Sequence, residues 1–135
     1  MFECVFCKIV RGELPSYTLY EDEKTLAFLD IHPVSPGHTL VIPKMHAGNI
    51  FEIPADTWGL VQETVRKTAI ALEKAVDANG VNLMMNNREH AGQVVDHAHV
   101  HVIPRFKGDG LKVWPHKDYE EKAAEKIAEK IKGAF

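Results

Sequence analysis

The segment Asp96-His97-Ala98-His99-Val100-His101-Val102-Ile103 constrains this chain more than any other. Histidines alternate with small or branched apolar residues, with a period of two. Successive side chains of a strand point to opposite faces, and β-branched residues favour a pleated surface. The pattern therefore predicts a strand over 95–103, ending at Pro104. His97, His99 and His101 would share one face, while Ala98, Val100 and Val102 would point to the core. Neighbouring histidines would stand roughly 6.6 Å apart, two rises of about 3.3 Å each. An adjacent pair could grip one metal ion, whereas all three on one ion would need a distorted strand. Three imidazoles in register beside a polar, glycine-containing loop are hard to explain as a merely solvated face.

The rest of the chain supplies partners for that strand. Residues 17–20 and 25–31 read as a hairpin around the polar turn 21–24, and 38–42 as a third strand that stops at Pro43. The cluster His32-Pro-Val-Ser-Pro-Gly37 is a turn, since two prolines and a glycine cannot continue a central strand. Pro54 opens a helix over 55–78, with Trp58, Val61, Val65, Ala69, Leu72 and Val76 at spacings of three and four. Asn79-Gly80 is its expected stop. Residues 81–86 read as strand four and 118–132 as a final helix with Tyr119, Ala123, Ile127 and Ile131 in its apolar stripe. The glutamates and lysines of that last helix read as a solvated face. The order β-β-β-α-β-β-α suggests α+β: one mostly antiparallel five-stranded sheet with the long helix on one face.

The 135 residues suit one domain, 1–135. Hydrophobic residues at 45% and charged residues at 26% fit neither a disordered tail nor a membrane protein. A net charge of -3 does not suggest a nucleic-acid-binding surface. The first residues lack the basic and then apolar stretches of a secretory signal, so a cytoplasmic location is expected. In that setting the only two cysteines, Cys4 and Cys7, read as metal ligands or a redox pair.

Two chemistries suit the histidines. One is a His-x-His metal hydrolase with His38 or His46 as third ligand and an open position for water. The other is nucleophilic. A neutral imidazole Nε2 can attack phosphorus when its Nδ1–H is held by an acceptor, and neighbouring imidazoles and backbone N–H groups can stabilise the phosphoryl oxygens. The loop 89–93 could offer such N–H groups, with Gly92 allowing close approach.

Residues 91–105 resemble the motif of the histidine triad (HIT) family, His-x-His-x-His followed by two apolar residues. The segments Cys4-Val-Phe-Cys-Lys-Ile-Val10, Tyr20-Glu-Asp-Glu23, Leu26-Ala-Phe-Leu-Asp-Ile31 and Gly37-His-Thr-Leu-Val-Ile-Pro-Lys44 are similar to its N-terminal blocks, in the same order. The likeness covers about residues 3–107 and leaves 108–135 as an extension.

The resemblance implies a homodimer and hydrolysis or transfer at the α-phosphate of a purine nucleotide conjugate (of AMP or GMP), through a covalent nucleotidyl-histidine. His99 would be the nucleophile, held by the His97 carbonyl. His101 would contact the phosphate, and His38 would complete the cluster. Asn86, Gly92, Gln93 and Val94 would line the phosphate site, and Asp30 would bind the ribose, although an Asp here also suits a cap on the following turn. Val5, Phe6, Ile9, Phe28 and Ile31 would clasp the base. In one branch of the family Cys4, Cys7, His46 and His97 would hold a structural zinc. Val94 departs from the Ser or Thr of many members. A nucleotide-binding protein with little turnover is a third reading. His32, His90 and His116 receive no role.

Overall fold

The computed structural model describes residues 3–135. Strands β1 (Thr18–Glu21), β2 (Thr25–Leu29), β3 (Thr39–Pro43), β4 (Gly80–Met84) and β5 (Val100–Arg105) form one sheet. Its order is β1-β2-β3-β5-β4, with every pair antiparallel. Helices are α1 (Val5–Val10), α2 (Ala55–Val76) and α3 (Ala123–Lys132), with a single 3-10 turn at Glu89–Ala91. The α+β architecture expected from the sequence is the one observed. No helix among the described residues is long and apolar enough to cross a membrane.

The sheet is covered on both faces. Helix α2 buries Val61, Val65 and Leu72 against Ala27, Val41, Val100 and Val102. On the other face Cys4 and Phe6 of the N-terminal segment pack with Leu26, Phe28, Leu40 and Ile42. Strands β2 and β3 are therefore buried nearly throughout, which explains why both read as unbroken apolar runs. Burying a side chain such as Val41 stabilises the fold by roughly 1.5–3 kcal/mol. The α2 stripe also carries two threonines. Thr64 and Thr25 share a buried 2.7 Å hydroxyl contact, and Thr68 donates to the Thr64 carbonyl at 2.7 Å.

Four expectations need correction. Helix α1 was not anticipated: it is only one and a half turns long, and Cys4 caps it by accepting from the Cys7 N–H at 3.4 Å. The histidine strand begins at Val100 rather than 95 and runs through Pro104 to Arg105. Its start is displaced because the Ala98 N–H donates to the Ala47 carbonyl at 2.7 Å, outside any ladder. Pro104 lies beyond Val102, the last β5 residue paired with β3, and its carbonyl accepts from Ser35 Oγ at 2.6 Å. The long helix stops at Asp77, which takes the left-handed conformation (φ 54°), so Gly80 opens β4 instead of ending α2. The last helix starts at Ala123, not 118, and none of its residues is buried.

Candidate active site

His99 sits just before β5, where the chain is not yet laddered, and it is buried. Its Nδ1–H donates to the carbonyl of His97 at 2.7 Å. A carbonyl only accepts, so the proton of the neutral ring is on Nδ1 and the lone pair on Nε2. The edge of Phe6 packs against the ring with centroids 5.2 Å apart. Burial pushes the His99 pKa below its ordinary value, which keeps the ring neutral.

His101 follows on the same face, 5.0 Å from His99 between ring centroids. Its Nδ1 lies 2.9 Å from His38 Nε2. His38 in turn accepts at Nδ1 from the Val34 N–H, 3.0 Å away. Burial, then the neighbouring His99 and His38, lower His101 to about 4.

Asp30 closes this end of the site. Its Oδ1 accepts from the His32 N–H at 2.8 Å, so it does cap the turn, while Oδ2 stands 3.6 Å from His38 Nε2.

A cavity of about 520 Å³ opens in front of His99 and His101. Val5, Phe6, Ile9, Phe28, Asp30, Ile31, Asn86, Gly92 and Val94, all expected at a nucleotide site, line it. Leu14, Pro15, Ser16 and Leu40 line it too. Nothing in their pattern distinguishes them from packing residues, and only the fold brings them there. Phe6 and Phe28 are buried, whereas Ile31 and Val94 stand exposed at the mouth, Val94 at 93%.

Three assigned residues lie elsewhere. His38 sits behind His101. Gln93 does not line the cavity: its side-chain amide donates to the Gly48 and Val95 carbonyls and accepts from the Arg88 N–H. That clamp holds Arg88 at φ 75°, a strained value for a residue with a Cβ. Gly92 turns the chain at φ 92°, 3.4 Å from Asn86 between its carbonyl and the Asn Nδ2.

His97 is the third. It is fully buried and faces Cys4, Cys7 and His46. Its Nε2–H donates to the Pro43 carbonyl at 2.9 Å, which leaves Nδ1 as a free lone pair. Such a backbone partner is what orients a metal-ligating imidazole. The spacing tests the fit. Bonds of about 2.3 Å to sulfur and about 2.0 Å to nitrogen give tetrahedral S···N edges near ~3.5 Å and N···N edges near ~3.3 Å. Here His97 Nδ1 lies 3.4 Å from Cys4 Sγ and 3.6 Å from Cys7 Sγ. His46 Nδ1 lies 3.4 Å from Cys7 Sγ and 3.2 Å from His97 Nδ1. Two sulfurs and two nitrogens at these separations fit zinc. Burial and the adjacent Cys4 sulfur raise the Cys7 thiol, an effect that a divalent cation would reverse.

With four protein ligands such a centre is closed, so it offers metal-bound water no open position. Asp30, His38 and His101 form a second group whose ligand atoms lie within 4.8 Å of one another. There the two ring nitrogens meet at 2.9 Å, a distance that one shared proton accounts for. The expected third ligands, His46 and His38, are thus divided between two places.

Comparison with known proteins gives a consistent result. The HIT domain family matches residues 11–108. Adenylylsulfatase HINT3 of Arabidopsis thaliana is 44% identical over 109 residues, covering 81% of this chain and 55% of that protein. Adenosine 5'-monophosphoramidase HNT1 of Candida albicans is 39% identical over 135 residues, covering 96% and 89%. Among solved structures, the Streptococcus mutans protein SMU.412c has a TM-score of 0.94 at 44% identity, covering 99% of this chain and 86% of the other. A zinc-bound histidine triad family protein of Mycobacterium smegmatis has a TM-score of 0.78 at 37% identity, covering 98% and 97%.

Proposed function

The chain belongs to the HIT domain family, and from that premise we propose that it hydrolyses or transfers the nucleotidyl group of a purine nucleotide conjugate, of AMP in the first instance. The carrying observation is the 2.7 Å bond from His99 Nδ1–H to the His97 carbonyl, on a ring that lines the cavity. Nε2 of His99 attacks the α-phosphorus and the leaving group departs, giving a nucleotidyl-imidazole. Water then attacks the same phosphorus, the P–N bond breaks, and the electron pair returns to Nε2. The carbonyl of His97 stabilises the charged ring while the intermediate lasts. His101 and the backbone around Gly92 bind the phosphoryl oxygens. Phe6 and Phe28 form the floor under the base, and Asp30 Oδ2 meets the ribose hydroxyls. The activities of the HINT3 and HNT1 relatives support an adenylyl conjugate as substrate.

Cys4, Cys7, His46 and His97 would hold a zinc ion, which would supply a structural cross-link between the N-terminal segment and the triad. The active form is a homodimer. Edge strand β4, with its exposed Leu83, offers a surface that pairs with its own copy about a two-fold axis. The reaction belongs to the cytoplasm, where thiols stay reduced and free to bind metal.

A panel of AMP and GMP phosphoramidates, dinucleoside polyphosphates and adenylyl sulfate, run on wild type and His99→Asn, tests the reading. Turnover of at least one adenylyl compound, lost in the variant, and a nucleotidyl adduct trapped on His99 are expected. Activity that survives the substitution overturns the nucleophile. Tight AMP binding with no turnover on any substrate leaves a binding protein instead.

A further inference from the structure

Three backbone groups set the protons of four imidazoles. Two, the carbonyls of His97 and Pro43, place protons on His99 Nδ1 and His97 Nε2. The third is the Val34 N–H, which donates to His38 Nδ1 at 3.0 Å. An amide N–H only donates, so His38 Nδ1 carries no proton. The one proton of neutral His38 is therefore on Nε2, and it points at His101 Nδ1, 2.9 Å away. His101 Nδ1 must accept, which leaves the His101 proton on Nε2. The other charged or titratable groups facing this pair are Asp30 and His99, and His32 lines the rim of the same cavity.

This chain of protons has no source. If His101 gave up its Nε2 proton, it would need one from His38. His38 would then need one at Nδ1, where only an amide N–H faces it, and an amide does not release a proton in neutral water. His99 cannot help, because its Nδ1–H is held by a carbonyl and its Nε2 is bonded to phosphorus. Val94, at the mouth of the cavity, has no hydroxyl.

We propose that the Val34 amide, acting through His38, locks His101 as a neutral Nε2–H hydrogen-bond donor, so that the leaving group is expelled as an anion without a proton from the protein. The favoured substrates are then nucleotidyl anhydrides, whose leaving group is a carboxylate, sulfate or phosphate, over nucleotidyl amides. The inference rests on His99 as nucleophile. In the step, the His99 Nε2–P bond forms and the P–O bond to the leaving group breaks. The leaving oxygen keeps the electron pair. The water that completes turnover releases its proton to solvent. An amine would have to leave as a far more basic anion, or be protonated by solvent first.

Two measurements on the whole protein test this. Two-bond 1H–15N spectra of the histidines at neutral pH are expected to show protonated Nε2 and unprotonated Nδ1 in both His38 and His101. An Nδ1–H tautomer or an imidazolium at His101 overturns the lock. Single-turnover rates on a series of aryl esters of AMP are expected to fall roughly fivefold or more per unit rise in the pKa of the leaving phenol. A flat series overturns the anionic departure while leaving the nucleophile standing. Absence of any turnover overturns both. Loss of phosphoramidate turnover in His32→Ala also overturns the inference, because it identifies a protein acid at the rim.

Discussion

The carbonyl of His97 holds Nδ1 of His99 at 2.7 Å, while the ring of His97 faces the two thiols of Cys4 and Cys7. One residue therefore links two sites. Its side chain serves the Cys4–Cys7–His46 cluster and its main chain aims the proposed nucleophile. Whatever rigidity the cluster gives His97 passes to His99 through a single peptide unit.

Removing the metal should act at both ends of that link. Protein purified without chelator is expected to carry about one zinc per chain, measured by elemental analysis. Stripping it, or substituting Cys4→Ser, is expected to lower Tm by roughly 5–15 °C, the scale of a loss of several kcal/mol in a domain of this size. Turnover is expected to drop about tenfold, since His99 loses support but keeps its chemistry. A stripped protein with unchanged Tm refutes the structural role.

Acid should destabilise the fold through His101. The ring has an ordinary pKa of 6.5 and is lowered to about 4 by burial, then by His99 and His38. Between those values the unfolded chain binds a proton that the folded chain does not. Stability is thus fully present above about pH 6.5 and is lost as pH falls toward about 4. Urea midpoints across this window are expected to fall more steeply for wild type than for His101→Gln. Equal slopes contradict the assignment.

Gly37 is a backbone position that no other residue fits well. It has φ +94°, and a Cβ there would meet Leu72 Cδ2 and Pro104 Cγ, each at 3.2 Å. Gly37→Ala is expected to cost roughly 1–3 kcal/mol, read by chemical denaturation. Because the turn also carries Val34, the same variant should weaken turnover. A loss below about 0.5 kcal/mol would show that the turn adapts.

Val94→Ser places a hydroxyl at the cavity mouth. It is expected to raise turnover with amine leaving groups several-fold more than with phosphate or sulfate leaving groups, measured as kcat/KM on matched AMP conjugates. Equal effects on both would mean that the hydroxyl does not reach the departing atom.

Much of this was legible in one dimension. The period of two around His99 set three imidazoles on one face. The period near 3.6 in 55–78 identified α2 and most of its buried positions. The spacing of Cys4 and Cys7 read as metal ligands or a redox pair, and the fold sets both thiols beside His46 and His97. The errors cluster where backbone hydrogen bonds leave regular ladders. The Ala98 N–H goes to Ala47, and Asp77 rather than Gly80 turns left-handed. Periodicity carries no signal for either event. Helix α1 was invisible for the same reason, being too short to show a stripe.

By itself the sequence determined which side chains could do chemistry, and on which face of a strand they fall, because those follow from local geometry repeated residue by residue. Only the tertiary structure decided which nitrogen of each ring holds the proton. That choice belongs to Pro43, Val34 and the His97 carbonyl, the first two brought to the imidazoles from distant turns and strand ends. Tautomers depend on hydrogen-bond partners in space, and spacing along the chain does not encode them.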